Sequence, residues 1–263
     1  MANQLALVTG ASNGIGYNLA KVFAENGFDL IIASHGERLE SAEQDLRSLG
    51  VNVTAIEADL ATYEGVQSFW KGVEATGRPV DAAAINAGVG VGGLFAETDL
   101  EAEINLVRLN VEGTVHLAKH VVRHMVGRGQ GRILVTASIA SEMVAPREAV
   151  YAASKAFDLS FAKSLREELA GTGVSVTALQ PGPTDTDFFH RAGMDDTKVG
   201  QEGKHASQPY DVARQGFKAL MAGEQHVYAA DLKTKIQGAV ADFVPDSVKA
   251  SMHEKLAEPV GSK

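Results

Sequence analysis

The chain has 263 residues, of which 45% are hydrophobic and 22% are charged. This composition is ordinary for a globular protein, and the length allows one large α/β domain with a sizeable core. The net charge of −9 argues against nucleic acid as a main partner. Because cysteine is absent, disulfides, thiolate metal sites and cysteine nucleophiles are excluded.

Targeting segments are not expected from this sequence. It has no run of about 18 or more apolar residues, which predicts that no segment spans a membrane. A signal peptide is not expected, because residues 5–8 already read as a core strand. The default expectation is a soluble cytoplasmic protein.

Short apolar runs alternate along the chain with longer stretches of helical periodicity. Most runs are continuously apolar, as in strands buried on both faces of a parallel sheet. The predicted strands are residues 5–9, 29–33, 52–57, 81–86, 132–137, 175–180 and 226–229. The predicted helices are residues 15–26, 38–49, 63–76, 101–128, 149–170 and 210–222. The alternation predicts a single domain built on a doubly wound parallel sheet with helices on both faces.

Two segments break this alternation. Residues 185–208 are polar, follow a strand end and contain three glycines, which indicates a mobile substrate lid more than a plain surface loop. Residues 231–257 carry apolar side chains at near-helical spacing, interrupted at Pro245. These residues predict two short amphipathic helices that pack on the body or on a second subunit; their apolar positions are Ile236, Val240, Phe243, Val244, Val248, Met252 and Leu256.

The turn after the first strand reads TGASNGIG over residues 9–16. Gly10 permits a tight turn, Gly14 lets the backbone approach a pyrophosphate, and Gly16 allows a helix to pack closely on a strand. The helix N-terminus offers free N–H groups to the anion. A plain turn is the alternative, but the position between strand and helix favours dinucleotide binding, with Ser12, Asn13 and Ile15 also beside the cofactor.

Tyr151 and Lys155 are separated by four residues, so on a helix they share one face. An isolated tyrosine has a pKa of about 10, and a neighbouring cation can lower it by roughly 1–3 units. Such a shift brings the phenol toward the range useful for acid–base catalysis. Taken alone, the pair is more typical of a solvated helix face.

Together, these motifs resemble the short-chain dehydrogenase/reductase family. The TGxxxGxG turn and the YxxxK pair are its two defining signatures, and the other motifs follow in the family's order. These are Asp59 and Leu60 near the adenine, Asn86-Ala87-Gly88 at the end of the fourth strand, Asn110 in a helix, Ser138 at the end of the fifth strand and Pro181-Gly182-Pro183-Thr184 at the end of the sixth. The resemblance implies a Rossmann-like nicotinamide oxidoreductase that assembles as a homodimer or homotetramer.

The resemblance also implies roles for single residues. Tyr151 is expected to exchange a proton with a carbonyl or secondary alcohol, Ser138 to bond its oxygen, and Lys155 to lower the pKa of Tyr151 and contact the ribose. Asn110 is expected to hold a water in a proton relay, and Thr184 with Thr186 to meet the nicotinamide amide and pyrophosphate. Two alternatives stay open: a non-redox relative such as a lyase or epimerase, and a cofactor-binding regulatory protein.

The second strand bears on the choice of cofactor. Ala33 stands where NAD-preferring relatives often carry an acidic residue, while Ser34, His35 and Arg38 can together cradle a 2′-phosphate. Arg38 is equally read as a solvated residue, and Asn13 stands where some NADP users carry a basic residue. We favour NADP over NAD.

The predicted pocket walls are residues 88–95, 138–146 and 185–208, and their apolar side chains suggest an apolar or aromatic carbonyl substrate. These side chains are Val91, Leu94, Phe95, Ile139, Met143, Val144, Phe188, Phe189 and Met194. No metal site is predicted. His116, His120 and His124 share a helix face, but they read as a solvated or subunit-facing stripe.

Overall fold

The structure is a computed structural model that describes residues 3–203, 207–229, 246–258 and 260. Within these residues, parallel strands form one seven-stranded sheet. The strands are β1 (Leu5–Thr9), β2 (Asp29–Ser34), β3 (Val53–Glu57), β4 (Ala82–Ile85), β5 (Gly131–Thr136), β6 (Val174–Pro181) and β7 (His226–Ala229). Their order is β3-β2-β1-β4-β5-β6-β7, so the winding reverses between β1 and β4. The predicted doubly wound, Rossmann-like fold is confirmed.

Helices connect the strands and cover both faces of the sheet. They are α1 (Gly14–Glu25), α2 (Arg38–Arg47), α3 (Tyr63–Ala75), α4 (Leu100–Val107), α5 (Thr114–Val126), α6 (Ala149–Glu168), α7 (Phe188–Arg191), α8 (Lys198–Gly203), α9 (Pro209–Ala222) and α10 (Asp246–Ala257). A π-helical turn, Arg108–Gly113, joins α4 to α5, and a 3₁₀ turn, Ile139–Glu142, precedes α6. Among the described residues, no helix is long and apolar enough to cross a membrane.

Two hydrophobic cores result from the alternation of strand side chains. Leu5 and Leu7 of β1 face one core, which α3, α5 and α6 cover. Ala6 and Val8 face the other, which α1, α2 and α9 cover. Each fully buried large side chain contributes about 1.5–3 kcal/mol through loss of water contact.

The predicted helix 101–128 is not continuous, because the π-helical turn interrupts it. At this turn the Asn110 side chain binds the backbone of Val89 on a neighbouring segment, and Gly113 lies against the carbonyl of Leu60. A Cβ on Gly113 would sit 2.3 Å from that oxygen. Turns of this type are frequent at functional sites, and here the turn presents Asn110 to the interior.

The histidine stripe is half-buried and packs against α3, so it is less solvated than expected. His116 stacks on Tyr63 with ring centroids 4.5 Å apart, and His120 stacks on Trp70 at 5.3 Å. His124 Nε2 accepts a hydrogen bond from a backbone N–H. Burial lowers the pKa values of His120 and His124, so both are held neutral. In the described part of the chain, no group of His, Asp or Glu could hold a metal ion.

The described parts of the two irregular segments contribute residues to the cavity at the carboxyl ends of the strands. Residues 185–208 contain α7 and α8, and their ends meet where Thr184 forms a β-bridge with Ser207. In the tail, α10 is helical, whereas the predicted helix before Pro245, with Ile236, Val240, Phe243 and Val244, lies outside the described residues.

Candidate active site

A cavity of about 380 Å³ opens at the carboxyl ends of the strands, where the winding reverses. Ligands of open α/β sheets bind at this position. Most predicted site residues line it: Gly10, Ser12, Asn13, Gly14, Ile15, Gly16, Ser34, Asn86, Ala87, Gly88, Ser138, Tyr151, Lys155, Pro181, Gly182, Thr184 and Thr186. His35, Arg38, Asp59, Leu60 and Asn110 are not among the lining residues.

The glycine turn has a backbone that larger residues would not tolerate. Gly10 and Gly14 adopt φ of +67° and +57°. A Cβ on Gly16 would sit 2.2 Å from the carbonyl oxygen of Gly10. Asn13 precedes α1 but does not cap it through its side chain, so the N–H groups of the first turn are free to bind an anion. The turn therefore fits the pyrophosphate of a dinucleotide.

A hydrogen-bond network, which the sequence reasoning missed, holds this turn to the next strands. The hydroxyl of Thr9 accepts bonds from the backbone N–H of Asn86 at 3.0 Å and of Ala87 at 3.1 Å. The Asn86 amide donates to the Thr9 carbonyl at 3.1 Å and accepts from the Thr136 hydroxyl at 3.1 Å. The Asn86 side chain thus connects the ends of β1, β4 and β5 beside the cavity.

Tyr151 and Lys155 lie on α6, one turn apart. The Lys155 ammonium donates to the Thr136 carbonyl at 2.9 Å and to Asp158 Oδ2 at 3.0 Å. The Tyr151 ring packs against Phe188 with centroids 5.1 Å apart. Ser138 begins the 3₁₀ turn, and its hydroxyl accepts a bond from a backbone N–H at 3.1 Å.

The electrostatics of Tyr151 differ from the expectation. Burial raises the pKa of Tyr151, the hydrogen bond with Ser138 lowers it in part, and the carboxylates of Glu148 and Asp158 raise it further. Lys155 was expected to lower this pKa, but its charge is met by Asp158 instead. Burial also raises the pKa of Asp158, against the opposing effect of Lys155.

Asn110 lies behind the cavity wall. Its amide oxygen accepts from the Val89 N–H at 3.0 Å, and its amide nitrogen donates to the Val89 carbonyl at 2.9 Å and to the Ser154 hydroxyl at 3.0 Å. A Cβ on Gly88 would lie 3.1 Å from Asn110 Oδ1 and 3.3 Å from Lys155 Nζ. Because Gly88 has no side chain, both Asn110 Oδ1 and Lys155 Nζ can lie close to its backbone.

The residues predicted for the adenosine end are spread apart. Ser34 donates to the Ser12 hydroxyl at 2.9 Å beside the cavity. His35 is exposed and lies 4.0 Å from Glu57. Arg38 is bound by the carboxylate of Asp187, which lies in the segment 185–208.

Two further residues of the predicted adenosine end have local roles. The exposed Asp59 accepts a bond from the backbone N–H of Ala61 at 3.0 Å. Leu60 is buried in the core beside α3. Neither residue lines the cavity.

Phe188 and Met194 of the segment 185–208 lie against two glycines of the facing wall. A Cβ on Gly90 would lie 2.6 Å from the Phe188 ring, and one on Gly92 would lie 2.3 Å from Met194. The absence of a side chain at Gly90 and Gly92 allows Phe188 and Met194 to approach the backbone closely. Asn13 binds the same segment from the glycine turn, donating to Asp187 at 3.3 Å.

Helix α10 supplies a part of the pocket that sequence reasoning did not assign. Lys249, His253 and Leu256 line the cavity. His253 Nε2 lies 2.9 Å from Glu148 Oε2, and both side chains are over nine-tenths buried. A buried carboxylate and imidazole thus form a polar corner in an otherwise apolar wall.

The fold and the site define a doubly wound α/β protein with the glycine turn and strand-end cleft of dinucleotide-binding proteins. The profile of the family described as short chain dehydrogenase matches residues 4–197. The chain is 35% identical to the Oxidoreductase UcpA of Salmonella typhimurium, over 96% of this chain and 99% of that protein. It is 30% identical to the Dehydrogenase/reductase SDR family protein 7-like of Drosophila melanogaster, over 90% and 75%. The chain therefore belongs to the short-chain dehydrogenase family of oxidoreductases.

Solved structures show the same fold. A short-chain dehydrogenase from Sphingobium yanoikuyae in complex with NADPH superposes with a TM-score of 0.80 at 28% identity, covering 91% of this chain and 92% of that one. A short chain dehydrogenase/reductase from Burkholderia phymatum in complex with NAD gives a TM-score of 0.80 at 24% identity, covering 92% and 95%. The second likeness concerns the fold alone.

Proposed function

We propose that the protein is an NADP-dependent oxidoreductase that interconverts a carbonyl and a secondary alcohol by hydride transfer. The observation that carries this proposal is that Ser138, Tyr151 and Lys155 line the same cavity as the glycine turn. Chemistry and cofactor binding thus share one cleft, as hydride transfer requires.

When bound, the nicotinamide supplies or accepts the hydride. In reduction, Tyr151 gives its phenolic proton to the carbonyl oxygen, while the Ser138 hydroxyl donates a hydrogen bond to that oxygen. Burial keeps the phenol protonated, which suits a proton donor. Alcohol oxidation uses the same groups in reverse, with Tyr151 as the base.

Lys155 and Asn110 support this exchange. The ammonium of Lys155, held by the Thr136 carbonyl, is assigned to the nicotinamide ribose. Asn110 is assigned to a water that relays protons between Lys155 and solvent. The closeness of both groups to Gly88 supports this relay.

The preference for NADP is supported by Ala33 at the end of β2 and by Arg38 beyond it. The relative from Sphingobium yanoikuyae binds NADPH. Asp187 holds Arg38, so a 2′-phosphate has to displace this carboxylate. Arg38→Leu should weaken NADPH binding at least tenfold, because a hydrogen bond to a charged group contributes about 1.5–3 kcal/mol.

Cofactor dissociation constants test this assignment. NADPH and NADH dissociation constants are compared for wild type, Arg38→Leu and, as a control, Arg214→Leu, an exposed arginine on α9. Asp187→Asn should tighten NADPH binding, because it frees Arg38. Equal losses for both cofactors in Arg38→Leu, or tighter NADH binding by the wild type, would contradict the NADP assignment.

The substrate class is an apolar or aromatic carbonyl compound. Ile139, Met143, Phe188, Phe189 and Leu256 line the cavity and support this choice. Absorbance of the reduced nicotinamide, followed across a panel of ketones and alcohols, tests it.

Replacement of Tyr151 tests the reaction itself. Tyr151→Phe should abolish hydride transfer and leave cofactor binding intact, because only the phenolic oxygen is removed. Unchanged turnover in this variant would refute the proposed role. Cofactor binding without turnover of any panel compound by the wild type would instead indicate a regulatory protein, and conversion without a change in nicotinamide absorbance would indicate a lyase or epimerase.

A further inference from the structure

Asp158 is a buried acidic residue next to the proposed catalytic lysine. It lies on α6, three residues after Lys155, and its side chain is 1% exposed, against 6% for Lys155. Its Oδ2 accepts a hydrogen bond from Lys155 Nζ at 3.0 Å. Its other oxygen, Oδ1, is buried and has no hydrogen-bond partner among the described residues.

Such a pair is costly for a fold to retain. Moving two charges out of water costs several kcal/mol per ion, and an apolar pair of similar volume is often neutral or stabilising. The unbonded Oδ1 adds a further cost, because a buried polar atom without a partner is destabilising. Stability alone therefore does not account for Asp158, whereas its contact with Lys155 gives it a way to act on the site.

We propose that Asp158 is a positioning residue that binds the Lys155 ammonium and so sets the pH range in which Tyr151 serves as a proton donor. The carboxylate offsets the positive charge that would otherwise stabilise the phenolate. Tyr151 consequently keeps its proton through neutral and mildly alkaline pH. This inference rests on the proposed function, since it concerns the same proton transfer.

Other groups around Tyr151 do not substitute for this effect. Glu148, at the start of the same helix, also favours the protonated phenol, but its carboxylate is engaged by His253. Ser138 acts through a hydrogen bond and carries no charge. Other titratable or charged groups also line the cavity. They are Glu148 just before α6, Lys155 on α6, Asp187 and Arg191 in the segment 185–208, and Lys249 and His253 on α10. Asp158 differs from them because it touches Lys155 directly.

The test removes the charge of Asp158 and keeps its shape. In Asp158→Asn, the ammonium of Lys155 is no longer offset, so the pKa of Tyr151 should fall by at least one unit, the low end of the roughly 1–3 units expected for a nearby opposite charge. Ultraviolet titration of the tyrosinate, with the corresponding Tyr151→Phe protein subtracted, measures this without any substrate. The pH midpoints of carbonyl reduction and alcohol oxidation should move down together. Glu168→Gln, an exposed acid on the same helix, is the matched control and should shift neither.

A second pair of variants shows whether the effect passes through Lys155. In Lys155→Met, Asp158 is left unpaired in a buried site and should take up a proton. Adding Asp158→Asn to that background should therefore leave the Tyr151 titration unchanged. An equal shift with and without Lys155 would overturn the proposal in favour of a direct effect on Tyr151.

The outcomes also separate this proposal from the proposed function. An unchanged Tyr151 midpoint in folded Asp158→Asn overturns the role of Asp158, even if that variant is less stable. A shifted tyrosinate titration in a protein that reduces no carbonyl of the panel supports the role of Asp158 and counts against the proposed function.

Discussion

Replacement of Gly16 by alanine tests how the glycine turn supports the site. Its Cβ would lie 2.2 Å from the Gly10 carbonyl oxygen and 2.5 Å from the Asn86 amide nitrogen, whereas ordinary contact begins at 3.4 Å. Helix α1 therefore has to move about 1 Å from β1, and such overpacking costs typically 1–3 kcal/mol. Loss of the bond from Asn86 to the Thr9 carbonyl adds about 1 kcal/mol.

A total of about 3 kcal/mol predicts that the Tm falls by roughly 6–12 °C, since 1 kcal/mol shifts the Tm of a domain of this size by about 2–4 °C. NADPH affinity should fall at least tenfold, because the same movement displaces the N-terminus of α1. Calorimetry and fluorescence titration measure the two effects.

The control is Gly216→Ala in α9, where the added Cβ would meet only the flexible ends of Leu179 and Leu134, at 3.2 Å or more. This variant should retain both the Tm and the affinity, because alanine also favours a helix over glycine by about 1 kcal/mol. If Gly16→Ala behaved like Gly216→Ala, the reasoning about the glycine turn would be refuted.

Two further predictions concern buried pairs. Burial alone raises the pKa of Asp29, but hydrogen bonds from Asn52 and then Arg78 lower it below its usual value. A carboxyl group whose pKa is lower in the folded state stabilises the fold at pH values above its unfolded-state pKa, and this contribution is lost as the pH falls through its folded-state pKa. The free energy of unfolding of Asp29→Asn, measured in urea, should therefore fall less steeply with pH below about pH 4 than that of the wild type. His253→Leu leaves Glu148 buried without the neighbouring imidazole. KM for the carbonyl should then rise more than KM for NADPH. Equal increases in both KM values would indicate that the variant disturbs the whole site.

The fold was predictable because most strands are continuous apolar runs and the longer helices keep a 3.6-residue period. The π-helical turn around Asn110 was not, because apolar spacing hardly distinguishes one widened turn from a regular helix. The packing of the histidine stripe against α3 was not predictable for a related reason. Spacing placed the three rings on one face, but it did not show that Tyr63, Gln67 and Trp70 of α3 face them.

Within the site, the glycine turn could be predicted from the sequence because the turn needs glycine at single positions with unusual backbone geometry. The pairing of Arg38 with Asp187 joins residues 149 positions apart, and no local pattern encodes it. The pairing of Glu148 with His253 likewise depends on where α10 lies. Such contacts arise from tertiary packing and are visible only when the segments have been placed.

For Lys155 and Asp158, the sequence shows that the two residues are close on a helix but not that both are buried. At this spacing on a helix, an exposed ion pair is worth a few tenths of a kcal/mol. Both are instead buried on α6, against β5. If the pair is kept for chemistry, Lys155→Met with Asp158→Leu should be as stable as the wild type or more so, because apolar packing replaces two desolvated charges. Single Lys155→Met should be less stable than the double variant, and both should lose hydride transfer. A double variant that unfolds several degrees below the wild type would show instead that the fold itself depends on the ion pair.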